Sequence, residues 1–450
     1  MACRYVHAPA QIERPLLAFR RHDVTRSLTV GSLLLALAVA TISPAAAALP
    51  GETPADTFQV NGPRVRSIVT VGDNVWIAGK FTQVQAGSGA NVDGVANLAV
   101  LSKTTGEVSA TASPLALAGV TNAEVWKLAT DGSVVYAAGK FKLTAAGKGY
   151  VNLLAFDGID GTLIPSFRPR SVPVSQSVAA GGGLVYAGGR KLSAYEGATG
   201  APSPTFVPST ITTDPSFRPG HNTPPQFRDL QLIQGSLYAA CQCDTLTQGG
   251  VSRPVKALVR VDPVSGEHDQ TFSPEGLGFV DGSSGVGATG ISVATDGVDL
   301  YLGAGGSDFV ARYSPAIPYT DDGGQMRFGA QVWKRDTSGS TQAVEISEGD
   351  VLIGGHFTKI ADGLGDACGF KSSDPGTLDP ANECVSRERL ASYTVSGDLQ
   401  EWDPTVTGKY NGVWTIALDG TSVHVGGEFT KVDRQTQTYY ARLDVAAAPE

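Results

Sequence analysis

One short phrase recurs along this chain and constrains its fold more than any other feature. In its fullest form the phrase is apolar-aromatic-x-x-Gly-x-Phe, as in Val75–Phe81 and Val135–Phe141. Weaker copies follow at intervals of roughly 60 residues, and such regular recurrence indicates a repeat architecture. Units of this size cannot bury both of their own faces, so neighbouring units must stack. Seven copies align at Gly79, Gly139, Gly189, Cys241, Ala304, Gly355 and Gly427.

Each repeat is predicted to form four antiparallel strands, A to D. Strand A precedes a Gly/Asp turn, as in Glu124–Thr130, strand B carries the phrase, and strand C is an apolar-Ala-apolar segment such as Leu98–Leu101. Radial four-stranded units are the blades of a β-propeller, so we predict an all-β fold, a seven-bladed β-propeller. A pair of β-sandwiches would not explain seven copies of one phrase. Strand D is expected to carry one aromatic residue: Phe167, Phe206, Phe272, Trp333 or Trp402.

The two ends of the repeat region are complementary. The seventh copy supplies strands A, B and C and then ends near Asp444, without a strand D. A segment that resembles strand D, Asp56–Val60, stands alone before the first strand A. We therefore expect the N-terminal strand to complete the last blade and close the ring, which leaves no open sheet edge.

The N-terminal segment, residues 1–48, differs from the rest of the chain. A basic region (Arg20, Arg21 and Arg26) precedes the apolar run Leu33–Ile42 and the small residues Pro44–Ala48. This order is typical of a secretory signal peptide, and an uncleaved anchor is the alternative. We expect residues 1–48 to be the signal peptide and residues 49–450 a single propeller domain, secreted and without membrane insertion after cleavage.

The net charge of residues 49–450 argues against polyanionic partners. Residues 49–450 contain 29 basic and 41 acidic residues, a net charge of −12. Nucleic acid and anionic lipid attract basic surfaces, so neither is expected to bind. The protein is expected to be a monomer that needs no cofactor.

Four cysteines follow the predicted cleavage site. Cys368 and Cys384 bracket a polar loop, residues 369–383, and are expected to form a disulfide. Cys241 and Cys243 lie two apart on a predicted strand and therefore point to the same face. A strained disulfide or two free buried thiols is the preferred interpretation for them. A metal site is the weaker one, since a lone C-x-C is a poor metal signal, and no metal is predicted.

The repeats resemble a known family. The Gly-Gly-x-Phe-Thr segment at 354–358, the Ala-Arg-Leu-Asp segment at 441–444 and the Asp-x-x-Phe-x-Pro segment at 269–274 are similar to delta-60 β-propeller repeats of secreted bacterial proteins, many of them actinobacterial. The resemblance covers about Asp56 to Asp444. It implies a propeller fold and an extracellular location but no activity, because the family is largely uncharacterised. Copies three, four and five depart from the pattern, since they lack the Phe.

Loop lengths predict one plain face and one elaborated face. The A–B turns and most C–D turns are tight, whereas the B–C loops are long in blades one, two, four, six and seven. The D–A connections before blades four and five are also long. In a propeller the B–C and D–A loops emerge together, so the elaborated face is the expected functional surface.

The same face holds the start of every strand A. The first inward positions are Arg66, Trp126, Gln176, Arg228, Ile291, Gln342 and Trp414. Two residues further on, every position is aliphatic and belongs to the core. Apart from Ile291, the first ring is polar or aromatic. It suits recognition of a sugar or an acidic group, and packing between blades is the alternative interpretation.

No catalytic motif occurs. The chain has neither H-E-x-x-H nor G-x-S-x-G. The leading hypothesis is a secreted binding module for an extracellular glycan or cell-wall component. A protein-interaction scaffold and a hydrolase or lyase with residues scattered over the loop-rich face are the alternatives. The ligand-binding candidates are Arg66, Trp126, Gln176, Arg228, Gln342 and Trp414.

Overall fold

The regular structure of the described residues is entirely β. The computed structural model describes residues 49–85, 89–92, 95–109, 117, 120, 122–145, 147–213, 224–277, 288–363, 368 and 384–445. Within these ranges no helix is long and apolar enough to cross a membrane. The predicted signal peptide, residues 1–48, lies outside the described residues.

The first half of the described chain contains thirteen strands. They are β1 (Gln59–Asn61), β2 (Arg64–Val71), β3 (Asn74–Lys80), β4 (Gln83–Gln85), β5 (Asn91–Val92), β6 (Leu98–Ser102), β7 (Glu124–Thr130), β8 (Val134–Ala145), β9 (Lys148–Asp157), β10 (Ser177–Gly181), β11 (Leu184–Gly188), β12 (Lys191–Glu196) and β13 (Ser209–Thr212).

The second half contains eighteen strands. They are β14 (Gln226–Ile233), β15 (Ser236–Gln242), β16 (Thr245–Gln248), β17 (Val251–Pro254), β18 (Leu258–Val261), β19 (Thr289–Thr295), β20 (Leu300–Gly305), β21 (Phe309–Thr320), β22 (Met326–Asp336), β23 (Thr341–Ser347), β24 (Asp350–Gly355), β25 (Lys359–Ala361), β26 (Cys384–Ser386), β27 (Leu390–Thr394), β28 (Val406–Leu418), β29 (Ser422–Val432), β30 (Gln435–Thr436) and β31 (Tyr440–Asp444).

Antiparallel meanders of three strands recur through these elements, and each contains one copy of the repeated phrase on its middle strand. We number them sheets one to seven. They are β2-β3-β6, β7-β8-β9, β10-β11-β12, β14-β15-β18, β19-β20-β21, β23-β24-β27 and β28-β29-β31.

The predicted fourth strand is largely absent, so the expectation of four strands in every repeat was wrong for the described residues. Only sheets three and five continue, into β13 and β22. Of the aromatic residues expected on strand D, only Trp333 lies in a strand. Phe167, Phe206 and Trp402 lie outside strands, and Phe272 makes only an isolated bridge. Prolines follow closely after these aromatic residues, and proline removes a donor from the ladder.

The core is divided into seven hydrophobic clusters among the described residues, each of which joins two sheets. Trp76 of sheet one packs with Phe156 of sheet two, and the later sheets follow the same pattern in chain order. The seventh cluster joins Ile68 and Ile77 of sheet one to Ala417 and Tyr440 of sheet seven. The sheets therefore pack face to face, as propeller blades do.

The N-terminal segment contacts both the last sheet and the first. Pro50 forms an antiparallel bridge with Val445, and the Ala55 amide donates to the Arg442 carbonyl (2.8 Å). The Phe58 ring stacks on Tyr440 with a centroid distance of 4.6 Å. The predicted strand Asp56–Val60 is shorter than expected, because only Gln59 and Val60 of it are extended. As part of β1 they pair with β4 near sheet one, not with β31.

Both cysteine pairs form disulfides. Cys368 is joined to Cys384, as expected from their spacing, although the loop between them, residues 369–383, lies outside the described residues. Cys241 is joined to Cys243, and both are buried between sheets three and four. Of the interpretations left open for this pair, the structure therefore has the disulfide.

Candidate functional site

The first strands of six sheets, and Gln176 just before the first strand of sheet three, line one cavity of about 150 Å³, which we call the inner cavity. Every predicted ring position contributes to its wall, including the six ligand-binding candidates. Alignment of the repeats thus identified side chains that the fold brings together from the first repeat to the last. The seven ring residues are Arg66, Trp126, Gln176, Arg228, Ile291, Gln342 and Trp414.

A β-bulge directs these side chains into the cavity. In sheet one, Val65 pairs with Gly79 and Ser67 pairs with Ala78, so Arg66 has no partner in the ladder. A bulge of this kind inserts one extra residue and re-aims its side chain. Gln176 differs, because it precedes β10. The extra residues in the other sheets are Trp126, Arg228, Ile291, Gln342 and Trp414.

A close approach of two backbones explains the glycine of the repeated phrase in five of the seven sheets; Cys241 and Ala304 stand at this position in sheets four and five. A Cβ atom built on Gly79 would lie 2.3 Å from the Arg64 carbonyl oxygen, and one on Gly427 would lie 2.1 Å from the Gly412 carbonyl oxygen. In both cases that carbonyl belongs to the residue two positions before the ring residue. Only glycine admits so close an approach of two backbones. Gly139, Gly189 and Gly355 meet the equivalent carbonyls of Glu124, Val174 and Ser340.

Arg66 joins the two ends of the repeat region at the cavity wall. Its Nε donates to Glu124 Oε1 (2.8 Å), and its guanidinium lies 4.3 Å from the centroid of the Trp414 ring. Burial lowers the pKa of Arg66, and the Glu124 carboxylate opposes this shift. A guanidinium held in this way offers a planar donor fork to a ligand.

Amide groups surround the other polar ring residues. Arg228 donates to the side-chain oxygens of Gln176 (3.2 Å) and Gln242 (3.1 Å). In the orientation that satisfies both ends of its amide, Gln342 donates to the carbonyls of Asn411 and Val413 and accepts from His356 Nδ1. These bonds connect sheet three to sheet four and sheet six to sheet seven, so the polar wall is held in place before any ligand binds.

Two indole donors in the wall lack acceptors. The Nε1 atoms of Trp126 and Trp414 are buried, and neither has a hydrogen-bond partner among the described residues. Buried indole N–H groups usually have a partner. Both tryptophans line the inner cavity.

Charged side chains line the cavity beyond the ring, and they were not among the predicted site residues. Lys127 Nζ lies 2.7 Å from Asp229 Oδ1, and Asp229 also accepts from the amides of Leu230 (3.0 Å) and Val293 (3.1 Å). Glu345 lines the same region.

The sequence contained one signal for two of these charged residues. Lys127 and Asp229 follow their ring residues, where the other five repeats have only Ser, Ala or Thr.

We expect Glu345 to titrate near neutral pH. Burial raises its pKa to about 7, Lys127 opposes this shift and Asp229 adds to it. A raised carboxyl pKa favours the folded state at low pH, so this contribution to stability should decline as pH rises from about 4 towards 7. NMR titration of the side-chain carboxyl should give a midpoint near pH 7, and Glu345→Gln should remove this part of the pH dependence of unfolding. A midpoint near 4 would contradict the prediction.

The aliphatic residues two positions after the ring residues form a second ring, which belongs to the core as expected. Each of its members is buried in the structure. They pack at the contacts between sheets and form a rigid apolar support for the polar wall. The ring consists of Ile68, Leu128, Val178, Leu230, Val293, Val344 and Ile416.

The long B–C loops of sheets one, two, four, six and seven contain hairpins: β4–β5, the ends of β8–β9, β16–β17, β25–β26 and β29–β30. The face that carries the A–B and C–D turns was predicted to be plain. It is not entirely so, because sheet five has a long C–D hairpin, β21–β22. The long D–A connections before blades four and five lie partly outside the described residues, at 214–223 and 278–287.

Potential metal ligands do not converge in the described part of the chain. Across these ranges, no group of three or more His, Cys, Asp or Glu side chains is arranged to hold a metal ion.

No protein-family model matches the chain, and no curated protein matches it.

Solved structures with a similar course of the chain have low sequence identity. BamB from Moraxella catarrhalis is 11% identical with a TM-score of 0.45, over 87% of this chain and 99% of that one. The extracellular domain of a putative one-component system from B. thetaiotaomicron is 12% identical with a TM-score of 0.43, and the match spans 86% of this chain but only 40% of that one. The WD40 β-propeller domain of Doa1 is 9% identical with a TM-score of 0.41, over 87% and 96%.

Proposed function

We propose that residues 49–450 form an exported, seven-bladed β-propeller of the delta-60 type whose inner cavity binds an extracellular glycan. The seven meanders and the seven clusters between them support the blade count. The contacts of the N-terminal segment with sheet seven and with β4 support closure of the ring. Two disulfides are consistent with an oxidising extracellular location.

The pair of unpartnered indole N–H groups carries the glycan proposal. Sugar hydroxyls and ring oxygens accept hydrogen bonds, and the apolar faces of sugar rings stack on aromatic side chains. Trp126 and Trp414 offer both kinds of contact within one cavity. The cavity is small, so it suits one terminal or branching sugar unit and not a long stretch of chain.

The arginines and amides define the substituents that such a sugar would carry. Arg66 and Arg228 can donate to a carboxylate or sulfate, and the amides of Gln176 and Gln342 can pair with hydroxyl groups. Lys127, Asp229 and Glu345 add both signs of charge to the cavity wall, so we expect an acidic substituent to bind at the arginines. We therefore expect acidic glycans to bind better than neutral ones.

Ring variants test this function. A glycan array and pull-down on isolated cell walls with residues 49–450 should identify a bound glycan. Trp126→Ala and Trp414→Ala should each weaken its binding by roughly 1–3 kcal/mol, a typical loss for an aromatic anchor residue. Isothermal titration calorimetry measures the change. The fold should survive, because the aliphatic ring stays intact.

A matched control separates binding from packing. Trp402 also has a buried indole N–H without a partner among the described residues, but it does not line the inner cavity. Trp126→Phe should therefore weaken glycan binding, whereas Trp402→Phe should not. Normal binding by the ring variants would place the glycan elsewhere. If both alanine variants unfold, the tryptophans are core residues and the proposal fails.

A further inference from the structure

A second cavity, of about 290 Å³, lies beside sheets four and five. Residues from β17 and β18 form one side of it, and Phe272 and Arg327 contribute from the segment before sheet five and from β22. It shares no lining residue with the inner cavity. We call it the basic cleft, after its four basic lining residues Arg253, Lys256, His268 and Arg327.

The charge of this cleft is opposite to that of the chain. Each ionisable side chain among the lining residues is basic, although the whole chain has a net charge of −9. The inner cavity, in contrast, contains acidic as well as basic groups. An anionic ligand would complement the basic groups that line this concave site.

Two of the cations have carboxylate partners outside the lining. Lys256 Nζ lies 2.9 Å from Asp244 Oδ1, and Arg327 Nε lies 2.9 Å from Asp321 Oδ2. Arg253 forms no ion pair with any described residue. It is partly exposed on β17, where it pairs with Leu246 across the hairpin. Its guanidinium can therefore turn towards a ligand without breaking a bond of the fold.

His268 supplies an independent observation at the same place. Its side chain is only 9% exposed, and its Nδ1 atom is buried without a partner among the described residues. Burial lowers the pKa of this imidazole, Asp269 opposes the shift and Arg253 adds to it. Arg253 and His268 both line the cleft. An anion bound between them would accept hydrogen bonds from the guanidinium and from the imidazole.

The rest of the cleft is apolar. Val255, Leu258, Val259 and Phe272 are buried and line it beside the basic groups. A hydrated inorganic ion would leave this surface unused, whereas an organic body would cover it and gain from the burial of apolar area.

We propose that the basic cleft binds a small organic anion, with its carboxylate, phosphate or sulfate group between Arg253 and His268 and its apolar or aromatic body against Phe272 and Val255. Guanidinium suits these planar or tetrahedral oxyanions because its donors form a fixed fork. The site is separate from the proposed glycan site, so either can fail without the other.

Calorimetric titration with simple probes tests the proposal. Benzoate, phenyl phosphate and phenyl sulfate distinguish the three oxyanions, benzyl alcohol is the neutral control, and inorganic phosphate lacks the apolar body. At least one aromatic anion should bind, more tightly than inorganic phosphate, and benzyl alcohol should not. Arg253→Gln should weaken binding about tenfold, the loss expected for one charge-assisted hydrogen bond.

Arg190→Gln is the matched control, because Arg190 is exposed and does not line the cleft. Its binding should equal that of the unmodified protein. Failure of all three aromatic anions to bind, or equal binding by Arg253→Gln, would overturn the proposal. Equal affinity for inorganic phosphate and phenyl phosphate would reject the role of the apolar wall.

Discussion

Removal of Leu49 to Gly62 will lower the melting temperature of residues 49–450 by more than about 10 °C. The deleted segment bonds to sheet seven through the amides of Gly51 and Ala55, and it forms β1 beside β4. Its Phe58 and Val60 side chains are completely buried in the cluster that joins the first and last sheets. Without them, that cluster is open to water and a sheet edge is exposed. Differential scanning calorimetry provides the measurement.

A single substitution makes the same test sharper. Phe58→Ala should reduce the free energy of unfolding by about 3–5 kcal/mol, the usual cost of emptying a buried aromatic site. Asp56→Ala is the control, since Asp56 lies on the same segment but is exposed. A truncated protein that melts like residues 49–450 would show that the segment does not hold the two sheets together.

Asp419→Ala will reduce the free energy of unfolding by about 3–5 kcal/mol, because it removes one partner of a buried pair. Asp419 Oδ2 lies 2.9 Å from His424 Nε2, and its Oδ1 accepts from the amides of Thr421 (2.8 Å) and Ser422 (2.7 Å). His424 is completely buried, and its other ring nitrogen contacts the Tyr440 hydroxyl (2.8 Å). Chemical denaturation at pH 7 measures the loss.

The pH dependence of this loss follows from the same contacts. The hydrogen bonds of Asp419 with His424 and with the turn hold its pKa well below the ordinary value, although desolvation acts against them. A depressed carboxyl pKa stabilises the fold above the unfolded value of about 3.9, and this contribution is lost as pH falls further. The difference between the unmodified protein and Asp419→Ala should therefore shrink below pH 4.

Asp160 provides the comparison for Asp419. It is an exposed turn aspartate that also accepts a backbone amide, from Thr162 at 2.7 Å. Asp160→Ala should change stability little at any pH. If Asp419→Ala is equally mild, the buried network at the end of sheet seven is not a stabilising element.

The repeated phrase was sufficient to predict the meanders and the ring residues. Apolar alternation and Gly/Asp turns are local signals, and alignment of the copies brings Arg66, Trp126 and Trp414 into register. The bulges were not predicted, because they are shifts of register between two paired strands, such as β2 and β3 at Arg66, and the alignment of repeats does not show register.

Other features of the site depended on those bulges or on contacts between repeats. In a regular strand, side chains alternate between the two faces, so only one of two successive residues is expected to line a cavity. The bulge at Trp126 changes this, and both Trp126 and Lys127 line the inner cavity. Lys127 and Asp229 were not predicted as lining residues for this reason. The basic cleft combines residues of β17 and β22, which no single repeat contains. We attribute the missing fourth strands to prolines, which cannot donate to the ladder of a sheet. The comparison with four-stranded propeller blades did not take these prolines into account.

The placement of ring residues in bulges has a consequence for how this protein can diversify. A residue that takes no part in the ladder can be exchanged without disturbing strand pairing, and six of the seven ring positions are of this kind. Under the proposed function, ligand recognition and strand pairing are thereby encoded by different residues. A library randomised only at these six sites should therefore keep the strand register of its parent, and its melting temperatures will report how much the bonds of Arg66, Arg228 and Gln342 between sheets contribute to stability.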